Sequence, residues 1–414
     1  MALKAHPAEL AGTICRTAPE QQIGSYAVDG LTPAAAAFPE SPEQVAEIVR
    51  LAGEHKWALI PRGGGTQMAL GNMPRAADVA VCTTAMNRVL EYEPADLVVT
   101  VQAGIRLAEL QHTLAEHGQF LALDPPLPER ATIGGIIAAN SSGPLRLRYG
   151  TCRDMLLGIK VVNADGNITK GGGKVVKNVT GYDMGKLYTG SLGTLGIIVE
   201  ASFKVAALPP VESTVLARFD SLDAAYTSGR AIYKSALPIL ACELLSPAAA
   251  RALDLEPGWT IAVWLGAGPA AVQRQERDVI ATCGTATSAH VLDEPRGFWR
   301  ALEDFGRGQF ETIAKISVLP SRVGELLARL PDGDPIVSHV LSGVTYLFSG
   351  HPEATAAMVR ELGGYLVVEA CPPELKRRLD VWGPPGPDFR LMRRVKREFD
   401  PDGILNPGRY VGGL

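Results

Sequence analysis

The sequence predicts an α+β protein in two parts, and three observations predict it. Helix-spaced and strand-spaced segments are interleaved through residues 31–210. Five short segments dense in glycine and small residues punctuate the chain, at 62–71, 132–143, 171–173, 190–196 and 406–413. From 211 to 371 the order β-α-β-β-α-β is read twice, which predicts a ferredoxin-like α/β cap domain carrying a mostly antiparallel sheet. A chain of 414 residues holds two or three domains on a prior of roughly 150 residues each.

The elements follow in order. Residues 1–30 read as a loose arm with one short helix. Ser41-Pro42-Glu43-Gln44 is a helix start, with Ser41 as N-cap, Pro42 in the first turn and Gln44 closing a capping box. Val45, Ile48, Val49 and Ala52 then form one apolar face as far as about His55. Residues 57–61 and 79–83 are short buried strands, and 87–104 are two strands about a Glu93-Pro94-Ala95-Asp96 turn. Leu107, Leu110 and Leu114 mark an amphipathic helix over 106–117. Residues 156–172 form a hairpin with Asp165-Gly166 at its turn, 182–190 a helix and 196–205 a strand. The cap strands are 214–219, 238–245, 259–266 and 287–292, then 313–318, 336–341, 343–349 and 365–370. The tail, 372–414, carries a helix at 389–399 followed by a loop-forming FDPDGILNPGR.

Composition excludes several function classes. Lys plus Arg number 40 against 44 for Asp plus Glu, so a net charge of −4 gives no footprint for nucleic acid. The closest two of the six cysteines are 41 residues apart, so no iron–sulfur or structural zinc spacing exists. No run reaches the ~18 apolar residues of a membrane span. The N-terminus lacks a signal-peptide apolar region, so a cytoplasmic protein is expected.

Arg62-Gly63-Gly64-Gly65-Thr66 follows a strand, and three glycines let successive N–H groups converge on an anion. No helix opens after it, since Gly71, Asn72, Met73 and Pro74 follow, which argues against Rossmann and Walker arrangements. Residues 131–140, with Gly134 and Gly135 at the centre, allow close backbone approach to a flat ligand, and Asn140 is a polar handle at the end. Gly193 to Ile198 is a turn entering a strand.

In this order RGGGT, DPP (124–126), ATIGGIIAANSSG (131–143), YGTCRDMLLGIKVVNADG (149–166), GSLGTLGIIVEASFKV (190–205) and FDPDGILNPGR (399–409) resemble a known two-part domain. It is the FAD-binding domain shared by vanillyl-alcohol oxidase, D-lactate dehydrogenases and the glycolate oxidase D and E subunits. GGGKVVKNVTGYDMGKL (171–187) and the short chain are most similar to the E subunit.

The resemblance implies a two-part FAD-binding domain of the vanillyl-alcohol oxidase type over 31–210, with the tail returning to it. It implies the FAD pyrophosphate on the loop Arg62, Gly63, Gly64, Gly65 and Thr66, with Pro61, Gln67, Asp124 and Pro125 also binding the cofactor. Ala131, Thr132, Gly134, Gly135, Ala138, Asn140 and Gly143 would line the flavin and ribityl chain. Backbone around Gly196, Ile197 and Ile198 would meet the adenine side, Gly193 would also bind the cofactor, and Asn406 would reach the isoalloxazine. Thr66 and Gln67 stand where some relatives carry a tethering His, so non-covalent FAD is expected.

For a small 2-hydroxy acid, Arg300 and Lys315 match the positions where relatives anchor the substrate carboxylate, although surface charge is the plainer reading of both. Relatives with a complete site carry His-x-Gly-Asp-Gly-Asn-x-His. Here His339 to Tyr346 reads HVLSGVTY, so no catalytic metal is expected, the catalytic residue stays unassigned, and a lone His339 reads as structural.

The resemblance thus implies an FAD-binding subunit of a glycolate oxidase complex. A D-type flavin subunit and an iron–sulfur subunit are its partners, and any contact with the inner membrane is made through them. A self-sufficient 2-hydroxy-acid dehydrogenase and a flavin-bearing scaffold without catalysis remain as alternatives.

Overall fold

The computed structural model describes residues 7–173, 181–348 and 351–414. The stretch 174–180, inside the segment most similar to E subunits, lies outside the described residues. The chain divides into two compact units. The first holds Met1–Ser141, Thr151–Ala207 and Pro373–Leu414, and the second Ser142–Gly150 with Leu208–Pro372. The described part of the arm, 7–30, and the tail both belong to the first unit, and residues 142–150, read from sequence as part of the FAD-binding domain, belong to the second.

The first unit contains two sheets. One has the strand order Arg16–Thr17, Ala35–Phe38, Val79–Cys82, Leu59–Arg62, and its last three strands are parallel neighbours. The other is antiparallel, in the order Val89–Glu93, Val98–Gln102, Ile197–Lys204, Leu156–Val162, Ile168–Gly172. Helix Pro42–His55 supplies Val45, Ile48, Val49 and Ala52 to a core that also takes Leu59, Val79, Val81, Ile197, Val199, Ile404 and Leu405. Each Val, Leu or Ile among them contributes about 1.5–3 kcal/mol when fully buried.

Ser41 caps the helix, its Oγ accepting from Gln44 N at 3.3 Å, while Gln44 Oε1 accepts from Glu40 N at 2.7 Å. Gln44 therefore reaches one residue beyond the cap that the sequence assigned to it. Lys56 ends the helix in the left-handed region, φ 57°, and returns its N–H to Ala52. The tail enters this core as an extended segment beside Leu59–Arg62: Leu59 N donates to Ile404 O at 2.7 Å and Asn406 N to Leu59 O at 2.8 Å.

The second unit is one eight-stranded sheet. Its strands are β1 (Val211–Phe219), β2 (Ile239–Leu245), β3 (Trp259–Ala267), β4 (Ser288–Val291), β5 (Ile313–Ser317), β6 (Ile336–His339), β7 (Val344–Phe348) and β8 (Tyr365–Ala370). The spatial order is β4-β1-β3-β2-β6-β7-β5-β8, and every pair is antiparallel. Each half has its own strands in the order fourth, first, third, second, and the halves join where β2 pairs with β6. Helices Leu222–Lys234 and Pro269–Thr282 pack on the first half, and Pro352–Glu361 on β8.

Candidate functional site

The first unit contains an open cavity with about 720 Å³ of empty space, part of it solvent. Its wall is made by pieces far apart in sequence. Pro61, Arg62, Gly63, Gly64, Gly65, Thr66, Gln67 and Met68 come from the loop leaving the strand Leu59–Arg62. Thr132, Gly134, Gly135, Ala138 and Ala139 come from helix Ile133–Ala139 and its N-cap. Leu192, Gly193, Gly196, Ile197 and Ile198 come from the turn entering the strand Ile197–Lys204, and Asn406 and Arg409 from the tail.

The glycine loop is shaped by its packing on helix Ile133–Ala139. A Cβ on Gly64 would overlap the Arg130 carbonyl, and one on Gly63 would overlap Thr132 Oγ1. A Cβ on Gly135 would instead meet only Thr132 Oγ1, at 3.2 Å. Gly64 is therefore needed first for the approach of a second backbone segment and Gly63 for the Thr132 side chain, a constraint that the sequence reading had assigned to the ligand.

A lysine locks the wall. Lys396, on helix Phe389–Phe399, donates to Thr194 O at 2.7 Å, Leu405 O at 2.9 Å and Asp400 at 2.6 Å. Asp400 also accepts from Ile404 N at 3.0 Å and Leu405 N at 2.9 Å. The turn at 194 and the tail at 405 are thus held by one cation. Burial lowers the lysine's pKa, against the pull of Asp400. Asn406 donates from Nδ2 to Leu192 O at 2.6 Å and adopts φ 46°.

The donor set suits an anionic, hydrogen-bonding guest. The wall carries Arg62 and Arg409 and no carboxylate among the described residues. Arg409 is 2% exposed, donates Nη2 to Met68 O at 2.7 Å and to Leu70 O, and leaves Nε without a partner. Burial pulls its pKa down to about 10, so it stays cationic at neutral pH. Gln67 Oε1, Thr132 Oγ1 and Asn406 Oδ1 are likewise buried without partners. A wall that leaves this many polar atoms unpaired is built to be completed by a ligand. Backbone N–H groups of the glycine loop and the two guanidiniums fit a diphosphate, and Asn406 fits the polar edge of a ring.

Of the residues named from sequence, Pro61 to Gln67, Thr132, Gly134, Gly135, Ala138, Gly193, Gly196, Ile197, Ile198 and Asn406 line the cavity. Asp124, Pro125, Ala131 and Asn140 are not part of its wall. Ala131 sits just outside, its carbonyl accepting from Leu107 N at 2.9 Å, and Asn140 caps helix Ile133–Ala139 with φ 48°. Gly143 belongs to the second unit. Sequence reasoning missed Met68, Thr83, Ala139, Leu192 and Arg409, of which Arg409 was legible as the last residue of FDPDGILNPGR.

In the second unit, Arg300 and Lys315 have different surroundings. Arg300 lies on helix Pro295–Glu303, 40% exposed, and faces Glu303 at 4.0 Å and Asp304 at 3.6 Å. Lys315 on β5 is 20% exposed and pairs with Glu369 at 3.6 Å, a carboxylate shared with Arg307 at 2.7 Å. Burial alone would raise Glu369, but Lys315 and Arg307 hold its pKa below the ordinary value. His339 is not alone: its Nδ1 stands 2.6 Å from Glu243 Oε2. Among the described residues no group of three His, Cys, Asp or Glu could hold a metal, and no helix is long and apolar enough to cross a membrane.

Comparison with known proteins agrees with this geometry. Residues 33–172 match the family described as FAD binding domain, and residues 208–315 with 385–410 match FAD linked oxidases, C-terminal domain. The chain is 29% identical to glycolate oxidase subunit GlcD of Bacillus subtilis, over 91% of this chain and 88% of that one. It is 26% identical to a mitochondrial D-lactate dehydrogenase [cytochrome] of Arabidopsis thaliana, over 90% and 72%. It is also 26% identical to a D-2-hydroxyglutarate dehydrogenase of Xanthomonas citri pv. viticola, over 91% and 89%. Among solved structures it is similar in fold to p-cresol methylhydroxylase, with TM-score 0.74 and 18% identity over 97% of this chain and 96% of that one. Alkyldihydroxyacetonephosphate synthase gives TM-score 0.69 at 20% identity, over 91% and 76%. With both domain families matched and the cavity donors in place, the chain belongs to the FAD-linked oxidases and is an FAD-dependent oxidoreductase.

Proposed function

We propose that the chain is the FAD-binding subunit of a glycolate-oxidase-type complex, which oxidises a short 2-hydroxy acid and passes the electrons to an iron–sulfur partner. The observation that carries the reading is the match over nearly the full length to relatives named for glycolate, D-lactate and D-2-hydroxyglutarate. The wall chemistry supports FAD as the cofactor. In this reading the glycine loop with Arg62 and Arg409 holds the diphosphate, and Asn406 Oδ1 meets the ring. Bound FAD supplies the two-electron acceptor for the hydride of the substrate's C–H bond.

Lys315 takes the substrate carboxylate in preference to Arg300, because its ammonium, paired with Glu369 alone, is the less exposed of the two, whereas Arg300 faces both Glu303 and Asp304. The cysteines lack cluster spacing, so the reading assigns the next electron acceptor to a separate cysteine-rich subunit, through which the complex meets the inner membrane. A D-type flavin subunit would be the third member.

The test is glycolate-dependent dye reduction by the isolated chain and by the complex co-purified from the native cell. The complex should be active and should lose activity when this chain is omitted. A complex that is fully active without it contradicts the reading. The self-sufficient dehydrogenase is the second reading, favoured by the buried Lys315. It predicts turnover by the isolated chain at about 1 per second or more.

A further inference from the structure

The helix Phe389–Phe399 reads FRLMRRVKREF, and its cations divide by burial. Lys396 turns into the first unit, whereas Arg390, Arg393, Arg394 and Arg397 are all exposed. Their spacing of i, i+3, i+4 and i+7 sets four guanidiniums in one stripe, over an arc of about 100° at 3.6 residues per turn. The rest of the helix is packed on its own unit. Lys396 bonds Thr194 O and Leu405 O, and Phe399 stands edge-on to Tyr188 with centroids 6.1 Å apart. Phe389 lies so close to Gly412 that a Cβ there would overlap its ring.

The stripe has no ion pair among the described residues. The exposed acids of this segment, Asp388 and Glu398, stand at its two ends and pair with none of the four. Residues 1–6, 174–180 and 349–350, outside the described ones, contain no Asp or Glu. By contrast, the exposed Arg106, Arg274, Arg296, Arg322 and Arg377 each face an acid at 3.6 Å or less.

Stability does not explain the stripe. Like charges three and four residues apart repel and weaken a helix, and the four arginines make two pairs at each spacing. Arg390 also stands in the first turn, where the helix dipole disfavours a cation. Nor does composition explain it, because the chain as a whole carries a net charge of −4. That balance also argues against nucleic acid as the occupant. A helix that lies on a membrane must bury its apolar face in the lipid, but here Phe389 and Phe399 are packed on the protein, and of the apolar residues only Leu391 is exposed, at 62%. Planar guanidinium forks match carboxylates in pairs, and arginine is enriched where proteins meet.

We propose that the arginine stripe of helix Phe389–Phe399 is a docking face for the acidic surface of another protein, whose Asp and Glu carboxylates pair with Arg390, Arg393, Arg394 and Arg397 around Leu391. The stripe is about 10 Å long, so it fits one carboxylate-bearing helix or strand of the partner. The docking face goes beyond the functional reading above and does not depend on the substrate.

The test is purification of the tagged, FAD-loaded full chain from the native cell at about 0.15 M salt, with its partners identified and counted by mass spectrometry. Wild type should bring down a protein partner in stoichiometric amount. The charge reversal Arg393→Glu with Arg394→Glu should lower the partner recovered per chain about tenfold or more, while FAD content and circular dichroism stay those of wild type. Arg394→Lys keeps the charge and should keep the partner. Its amine also lets a carbodiimide join position 394 directly to a carboxylate, and the amide should map to an Asp or Glu of the partner. Undiminished recovery in the charge reversal overturns the proposal. So does a wild-type chain that purifies alone, or an amide that maps to a second copy of this chain. Sedimentation of wild type, but not of the charge reversal, with vesicles of phosphatidylglycerol and phosphatidylcholine would give the stripe to the membrane and overturn it too. If the stripe docks its partner but the complex does not reduce dye with glycolate, the docking face stands and the oxidation reading falls. If the complex is glycolate-active and holds together with the stripe reversed, the oxidation reading stands and the docking face falls.

Discussion

Replacing Lys396 by Met tests how the cavity wall is held. The substitution keeps the length of the side chain and removes one cation that bonds Asp400, Thr194 O and Leu405 O. The side chains of Lys396 and Asp400 are 9% and 0% exposed, so solvent screens the pair little. Breaking a buried pair by removing one partner costs about 3–5 kcal/mol, because the remaining charge is left uncompensated. Burial already works against the lysine's charge, and Asp400 keeps two backbone donors, so the lower end, about 3 kcal/mol, is expected. A unit of this size shifts by about 2–4 °C per kcal/mol, which gives a fall of about 6–12 °C in Tm. The assay is thermal unfolding followed by circular dichroism and by flavin fluorescence, and release of the flavin should move down with the fold. Asp400→Asn should cost less in the Lys396→Met background than in wild type, since it removes the stranded charge. Unfolding of Lys396→Met within a degree of wild type, or additive effects of the two substitutions, would refute the reasoning.

Three further outcomes follow from the same geometry. Gly135→Asp should lower FAD content about tenfold or more while circular dichroism stays native, because its Cβ meets only Thr132 Oγ1 and its carboxylate faces the guest. Gly64→Asp should also perturb the apo fold, since its Cβ overlaps the Arg130 carbonyl; equal FAD content in Gly135→Asp and wild type would remove helix Ile133–Ala139 from the site. The pKa of Glu369 is depressed, so its ion pairs contribute stability above the ordinary carboxylate range, about 4.3, and that stability is lost as pH falls through the lower, folded-state value. Arg307→Met should therefore move the acid-unfolding midpoint of the second unit upward in pH, and an unchanged midpoint would show that the pair is inert. Elemental analysis should find no stoichiometric zinc or manganese, and one tightly held metal per chain would displace the metal-free account of His339.

The glycine-rich segments were legible because each stands next to a strand, where only a backbone loop or a ligand can use so many missing side chains. Their physical cause was only half read. At Gly63 and Gly64 the partner is another segment of this chain, Thr132 and Arg130, distant in sequence but packed against the loop. The antiparallel cap sheet was readable from the alternating strand and helix pattern, whereas the helix Pro247–Ala252 between β2 and β3 was not.

Long-range pairing was not readable. Glu243 and His339 are 96 residues apart and meet only through the register of β2 with β6, which a single sequence does not encode locally. Lys396 sits in RRVKRE, where every cation looks solvated, and only the fold selects the one that turns inward. Arg300 illustrates the reverse: its position was found by similarity, yet the acids three and four residues on in its own helix engage it.

The central claim is that this cavity holds FAD, and an absorption spectrum of the purified chain before and after acid precipitation tests it most directly. The cavity wall contains no His, Cys or Tyr among the described residues to which a flavin could be tethered. The account predicts a yellow protein with two visible flavin bands, and one FAD per chain released into the acid supernatant. A colourless protein that takes up no added FAD would contradict it.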